Sequence, residues 1–430
     1  SEALLLQMKS PAIHGALNMI YRYGITEDEA YAQKVYPYLR GVADFWEKDL
    51  VCRDGVYHVV GDGMHERTDG NIRDNGVPED PVNTLGYLKT FFTWMPRISE
   101  ALDLDEKKRE KWLEIAENLA PYPKGTIREI QENPTLWKEV DVKLEDLLPE
   151  EMLDKEIYYD EGIGGKWSFH FPGNVMQIYP GNAIGLGSAP EELEVARNTV
   201  QIHALVENAL GELEYRKALE EAEFADKDNA NNLLFNSNGE LENGEAYSNG
   251  MESGGVKNPH FYKAGAFNAS NLSCLFFTAA VRVGYAPEII WKEMRDMILN
   301  RGIPNGFLKE NPHGIEQLNT IPDAIQEMML QSCEGMIRIF PVWPRAEHPN
   351  AFFRNFRAWG GLEVSAALKD GEVERVSILS HKGHPCRVEN PWPGKSVKVS
   401  YEYGRPDEVH FGEYLNIELY KEEHAELFRI

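Results

Sequence analysis

Through most of the chain, apolar residues recur at the spacing of one helix face. In residues 25–51, Val35, Leu39, Val42, Trp46 and Leu50 return every three or four positions. Thr26 and Glu29 ahead of them have the spacing of a capping box, in which a hydroxyl and a carboxylate satisfy free N–H groups of the first turn. Residues 83–102 repeat the pattern with Leu85, Leu88, Phe92, Met95 and Leu102, and residues 105–120 with Trp112, Ile115 and Leu119. A further helix is expected over 189–210, with Ser188 as its N-cap and Pro190 in its first turn. Others are expected over 270–285, 287–302 and 322–335, the last two closed by Gly302 and Gly335.

After Gly335 the period changes to two. "MIRIFPVWP", "LEVSAAL", "EVERVSIL", "KSVKVSYEY" and "GEYLNIELY" alternate apolar and polar residues, and Asp370-Gly371 is a hairpin signal between two of them. The break falls near Phe340–Arg345. The pattern predicts a mainly helical region over 1–335 and a small antiparallel, sandwich-like β domain over 336–430. Paired helices joined by long polar loops suggest an (α/α) toroid, the six-hairpin architecture. The helices are fewer than a closed toroid needs, so its first hairpins are expected to lie outside this sequence. The opening "SEALLLQMKSPAIHGALNMIYRYG" lacks a basic start and a clean apolar run, so it does not read as a signal peptide. It reads as the middle of a helical domain, with a missing N-terminal portion expected and no localisation to be read from this end.

Composition narrows the partners. The chain has 430 residues, 42% of them hydrophobic, and a formal net charge of −26. Binding nucleic acid or an anionic membrane requires Lys and Arg to neutralise phosphates, so neither is an expected partner. No run approaches the roughly 20 apolar residues of a membrane span. Cys52, Cys274, Cys333 and Cys386 are too widely spaced for a zinc site or a disulfide framework, and buried free thiols are expected.

Four polar loops hold the candidate chemistry. "GDGMHERTDGNIRD" places His65 beside Glu66, which fits either a general acid tuned by an imidazole or a solvated loop acid. Gly164–Asn182 interleaves Trp167, Phe169, Phe171 and Tyr179 with His170, Asn174, Gln177 and Asn182. Rings for C–H stacking beside amide and imidazole groups suit a neutral polyol, and aromatics that merely pack a long loop are the alternative. Asn229–Gly255 is dense in Asn, Gly and Glu, and reads as a surface loop or a lid. Lys309–Ser332 sets His313, Glu316, Gln317 and Asn319 just ahead of a helix, where a carboxylate could hold a water or simply begin the helix with Pro322 and Asp323. Phosphate-binding glycine motifs, a nucleophile elbow, HExxH and an EF-hand loop are all absent from the sequence. Carboxylates with aromatic and amide groups point first to glycoside hydrolysis.

At this point a resemblance enters. "IPDAIQEMMLQSCEGMIRIFPVWP" followed by "FRAWGGLEVSAALKDGEVERVSILS" resembles the end of the barrel and the start of the C-terminal β domain in glycoside hydrolase family 95. This is the inverting α-L-fucosidase family, with α-L-galactosidase members. "VYPYLRGVADFWEKDLV" resembles its helix before the loop bearing the general acid, and "QIYPGN" resembles its "LYPGN". Matched by position, the resemblance implies that Glu66 is the general acid and that Glu316 helps activate water. The sequence departs from the family in having "MHE" where the family has an "SPE"-like context, and Glu in "EQL" where it has Asp in "DGN". The family's pair of water-holding Asn residues, well upstream of the acid loop, has no counterpart here.

The resulting expectation is an inverting hydrolase of a terminal α-linked sugar, an α-L-fucoside or α-L-galactoside. Glu66 and Glu316 are its catalytic candidates, and His65, Trp167, His170, Asn174, Gln177 and His313 its substrate contacts. The partner is an oligosaccharide or glycoside, and the chemistry requires no metal or organic cofactor. A rhamnosidase-like exo-glycosidase on the same barrel, or a non-catalytic carbohydrate-binding protein, are the rivals.

Overall fold

The computed structural model describes residues 8–62, 79–132, 144–160, 173–205, 273–304 and 320–430. Its first part is helical. Helices α1 (Ser10–Thr26) and α2 (Glu29–Asp49) lead into a short hairpin of β1 (Val51–Arg53) and β2 (Val56–His58). Helices α3 (Val82–Ala101) and α4 (Glu106–Glu117) follow, then β3 (Lys124–Thr126), α5 (Ile127–Glu132), α6 (Glu150–Leu153) and β4 (Glu156–Tyr158), with β3 and β4 paired. Helix α7 runs from 190 to at least 205. Helices α8 (Ser273–Arg282), α9 (Pro287–Arg301) and α10 (Thr320–Met329) complete the helical part. Among the described residues no helix is long and apolar enough to cross a membrane.

The helical periodicity locates most faces correctly. Leu39, Val42, Trp46, Leu85, Leu88, Phe92, Met95, Trp112 and Ile115 are all buried, in a core shared by α1 to α4. Three expected boundaries move. Helix α2 is capped by Asp28, whose carboxylate accepts from the Tyr31 N–H, while Thr26 closes α1 and donates back to the Arg22 carbonyl. Asp28 wins because α1 extends through Thr26, leaving no room for Thr26 to begin α2. The Ser188 hydroxyl accepts from the Gly185 N–H within the preceding turn, and α7 begins at Pro190. Helix α10 ends at Met329, and Gly335, at φ +70°, sits instead in the turn between β5 (Leu330–Gln331) and β6 (Arg338–Ile339).

The C-terminal part is antiparallel. Strands β7 (Ala351–Ala358), β8 (Leu362–Lys369), β9 (Glu372–Ser380), β11 (Val397–Tyr401), β12 (Glu408–His410) and β14 (Glu423–Arg429) form a six-stranded sheet in the order β12-β11-β14-β9-β8-β7. Strands β10 (Cys386–Glu389) and β13 (Tyr414–Ile417) form a separate pair. The β8–β9 turn is the expected one, with Asp370 at φ +51° and Gly371 at φ +80°, both in the left-handed region that this hairpin requires. One face of the sheet is apolar: Val364, Val376, Ile378, Val397, Val399, Ala425 and Leu427 are buried. They share a core with Val388 and Leu415 of the β10–β13 pair and with Phe276, Phe277 and Met328 of the helices. The apolar core is therefore continuous across residue 336.

A second junction joins α1 to the sheet. Gly360 N–H donates to the Gly24 carbonyl, and Lys382 Nζ and His384 Nε2 reach the Glu27 carbonyl and carboxylate at 2.6 and 2.9 Å. Gly24 must lack a side chain, since a Cβ there would lie 2.6 Å from the Trp359 ring. The cysteines do not all behave as expected: Cys386 is buried, Cys52 is exposed on the β1–β2 hairpin, and Cys333 lies between. All three residues of β1 are exposed, and the side chain of Cys274 lies outside the described residues.

Candidate functional site

Of the residues singled out in sequence, His65, Glu66, Trp167, His170, His313 and Glu316 lie outside the described residues, as does Asn229–Gly255. Asn174 and Gln177 are described, together with the ground on both sides of the Glu66 stretch.

That ground is firmly built. Asp62 is 0% exposed; its Oδ1 accepts from the Lys9 and Ser10 N–H groups at the start of α1, and its Oδ2 from the Thr84 hydroxyl at 2.7 Å. One carboxylate thus ties together the first turns of two helices, where the helix dipole favours negative charge. Burial still raises its pKa above the ordinary carboxylate value, against those three hydrogen bonds. On the far side, Asp80 Oδ1 accepts from Val59 N–H, its Oδ2 lies 2.8 Å from His58 Nδ1, and Val60 bridges Glu79 in antiparallel fashion. Residues 62 and 79 are therefore fixed close together by backbone and carboxylate contacts. His58, Glu79 and Asp80 bring possible metal-ligand atoms within 4.8 Å of one another. Arg53, however, holds both Glu79 oxygens at 2.9 Å, so a cation there would have to displace a bidentate ion pair.

Asn174 and Gln177 lie in the turn over 173–183 and are both 0% exposed. Asn174 Nδ2 donates to the Tyr158 carbonyl at 3.0 Å, and Gln177 Nε2 to the Asn174 carbonyl at 2.9 Å. Their side-chain oxygens, with that of Asn182, are buried and have no hydrogen-bond partner among the described residues. Helix α3 presses directly on this turn: a Cβ at Gly86 would sit 2.6 Å from the Gln177 backbone, so glycine there permits the approach. The Tyr21 hydroxyl donates to the Pro180 carbonyl, and the Thr90 hydroxyl to the Gly181 carbonyl at 2.5 Å.

The structure also brings two of the sequence clusters together. Tyr179 from the aromatic-and-amide stretch donates its hydroxyl to Asp323 Oδ2 in the first turn of α10, at 3.2 Å. Burial raises the Asp323 pKa, an effect partly offset by the Tyr179 hydrogen bond. Beneath this contact lies Arg282 on α8, 5% exposed, its guanidinium 4.9 Å from the Tyr179 ring centroid and 2.8 Å from Glu327 Oε1. The second guanidinium arm reaches the Ile178 carbonyl at 3.4 Å. Among the described residues, buried Arg282 Nε and Glu327 Oε2 find no partner. An unmatched buried polar group costs about 1–3 kcal/mol, and more when charged. Cys333 lies in the same cluster, its thiol pushed up to about 11 by burial against the pull of Arg282.

Sequence reasoning missed Asp62, Asp80 and Arg282. Asp62 and Asp80 flank the Glu66 stretch and gave a signal only as acids near a loop. Arg282 ends an apolar helix, a position that ordinarily reads as a solvated helix terminus.

No protein-family model matches the chain, and no curated protein matches it. Among solved structures it is similar to a chain titled "Putative kojibiose phosphorylase from human microbiome", with a TM-score of 0.38 and 10% sequence identity. The alignment covers 96% of this chain and 51% of that one, so this chain spans about half of that chain's length. A likeness that slight transfers neither activity nor substrate.

Proposed function

We propose that the protein is a glycoside hydrolase that releases a terminal α-linked sugar, an α-L-fucoside or α-L-galactoside, with inversion. In this reading residues 1–335 belong to an (α/α) toroid that carries the catalysis, and residues 336–430 form its β domain. Glu66 protonates the departing glycosidic oxygen while Glu316 activates a water on the opposite face of the ring. Inversion requires the two carboxyl groups to stand roughly 6.5–9.5 Å apart, leaving room for that water. His65 tunes Glu66. Trp167, His170, Asn174, Gln177 and His313 are the sugar contacts of this reading.

The observation that carries the reading is the Tyr179–Asp323 contact. It joins the aromatic-and-amide stretch to the helix that follows Glu316, the two segments expected to line one sugar site.

The test is hydrolysis of a panel of aryl α-glycosides, with the anomer of the first-formed product read by NMR. The expected result is cleavage of the α-L-fucoside or α-L-galactoside with release of the β anomer. Release of the α anomer would overturn inversion, and cleavage of other sugars alone would overturn the assigned specificity.

A further inference from the structure

The Tyr179–Asp323 contact fixes a carboxylate without using it up. Asp323 is only partly covered, and the Tyr179 hydroxyl holds one of its oxygens at 3.2 Å. The other oxygen, Oδ1, takes no hydrogen bond from the described residues. Asp323 and Glu327 are one turn apart on α10, so their side chains share a face. Arg282 lies against Glu327 and under the Tyr179 ring.

The second observation lies behind that face. Arg282 is 5% exposed, and among the described residues its Nε donor finds no acceptor and Glu327 Oε2 finds no donor. Among the described residues this cluster is therefore incomplete on both its donor and its acceptor side, directly behind the face that Asp323 shares. An anion is disfavoured, because Asp323 and Glu327 together carry two negative charges against the single positive charge of Arg282. A neutral ring with adjacent hydroxyls fits.

We infer that Asp323 is a sugar-binding carboxylate, oriented by Tyr179, whose free oxygen accepts hydrogens from adjacent hydroxyls of a neutral sugar. The inference rests on the glycosidase reading above and adds to it a contact outside the residues that the family resemblance supplies. Arg282 and Glu327 act as positioning residues that hold Tyr179 and α10 in register.

The experiment is calorimetric titration of the full chain with L-fucose and L-galactose, in wild type, Asp323→Asn and Tyr179→Phe. Circular dichroism and thermal melting check the fold. The carboxylate accepts charge-assisted bonds, so Asp323→Asn is expected to weaken binding about ten- to a hundredfold. Tyr179→Phe leaves the charge and loses only its orientation, so a loss of about threefold is expected. Should Asp323→Asn fail to fold, Asp323→Glu takes its place: it keeps the charge, displaces it by one methylene, and is expected to lose at least about tenfold. Unchanged affinity in a folded Asp323 variant overturns the inference but leaves the glycosidase reading standing, since that reading is tested by cleavage of the aryl panel. A wild type that cleaves an aryl fucoside or galactoside yet binds neither free sugar more tightly than Asp323→Asn overturns the inference alone. A wild type that neither cleaves the panel nor binds either sugar overturns both.

Discussion

Two arginine–glutamate pairs, each with one buried and one half-buried member and each stacked on tyrosine, sit in the two halves of this chain and are finished differently. In the sheet, Arg405 donates to Glu423 Oε2 at 3.1 Å, to Glu408 Oε1 at 2.9 Å and to the Glu418 carbonyl at 2.8 Å. It stacks on Tyr401 and Tyr420, and the Tyr420 N–H supplies a further donor to Glu423. Among the described residues neither Arg405 nor Glu423 keeps a buried side-chain atom without a partner. In the helical half, Arg282 and Glu327 make one close bond and leave Nε and Oε2 open. A buried ion pair recovers its desolvation cost only when its remaining donors and acceptors are also satisfied. The sheet pair meets that condition within the protein, as a structural pair does. The helical pair leaves it unmet among the described residues, and it lies beside the residues proposed to hold a sugar.

Substitutions can break this contrast in order of size. Glu327→Ala strands the Arg282 charge in a nearly closed site and is expected to cost about 3–5 kcal/mol in urea denaturation. Glu423→Ala is expected to cost less, about 1–3 kcal/mol, because Arg405 keeps Glu408 and a carbonyl and its side chain is 20% exposed to water. Equal costs would erase the distinction between the pairs. The double variant Arg282→Met/Glu327→Leu removes both charges at once and is expected to stay within about 1 kcal/mol of wild type while losing sugar affinity. A large loss of stability would instead make that pair a structural one.

The smallest effect concerns Asp62. Burial holds its folded pKa above the ordinary value, so the folded protein keeps a proton there at a pH where the unfolded chain has released it. This contribution to stability is present below the ordinary carboxylate range and is lost as the pH rises through the raised value. Asp62→Asn should flatten that part of the stability–pH curve, measured by denaturation at a series of pH values. An unchanged slope would mean that Asp62 titrates as a solvated acid.

The two halves were also unequally legible in sequence. Strands β8 and β9 were readable because buried Leu362, Val364, Ala366 and Leu368 alternate with the less covered Glu363, Ser365, Ala367 and Lys369, and the Asp370-Gly371 turn pins their register. Strand β14 was not, because it contributes the buried Glu423 to its covered face, and only Arg405, distant in sequence, explains a glutamate there. Strand β7 was obscured by Arg354, Asn355 and a register shift between Phe353 and Phe356. In the helical half the apolar faces were plain, but caps were not: Asp28 displaced Thr26 once α1 had claimed the latter. The polar cluster was the least legible part. Tyr179 and Asp323 are 144 residues apart, and no local pattern could announce that they meet.

The central claim is that Glu66 donates the proton that frees a sugar. The most direct measurement is the rate of cleavage of the preferred aryl glycoside by the wild type beside Glu66→Gln, both confirmed folded. The account predicts that kcat falls by about 10²–10⁴-fold in the variant. Equal rates in the two proteins would contradict it.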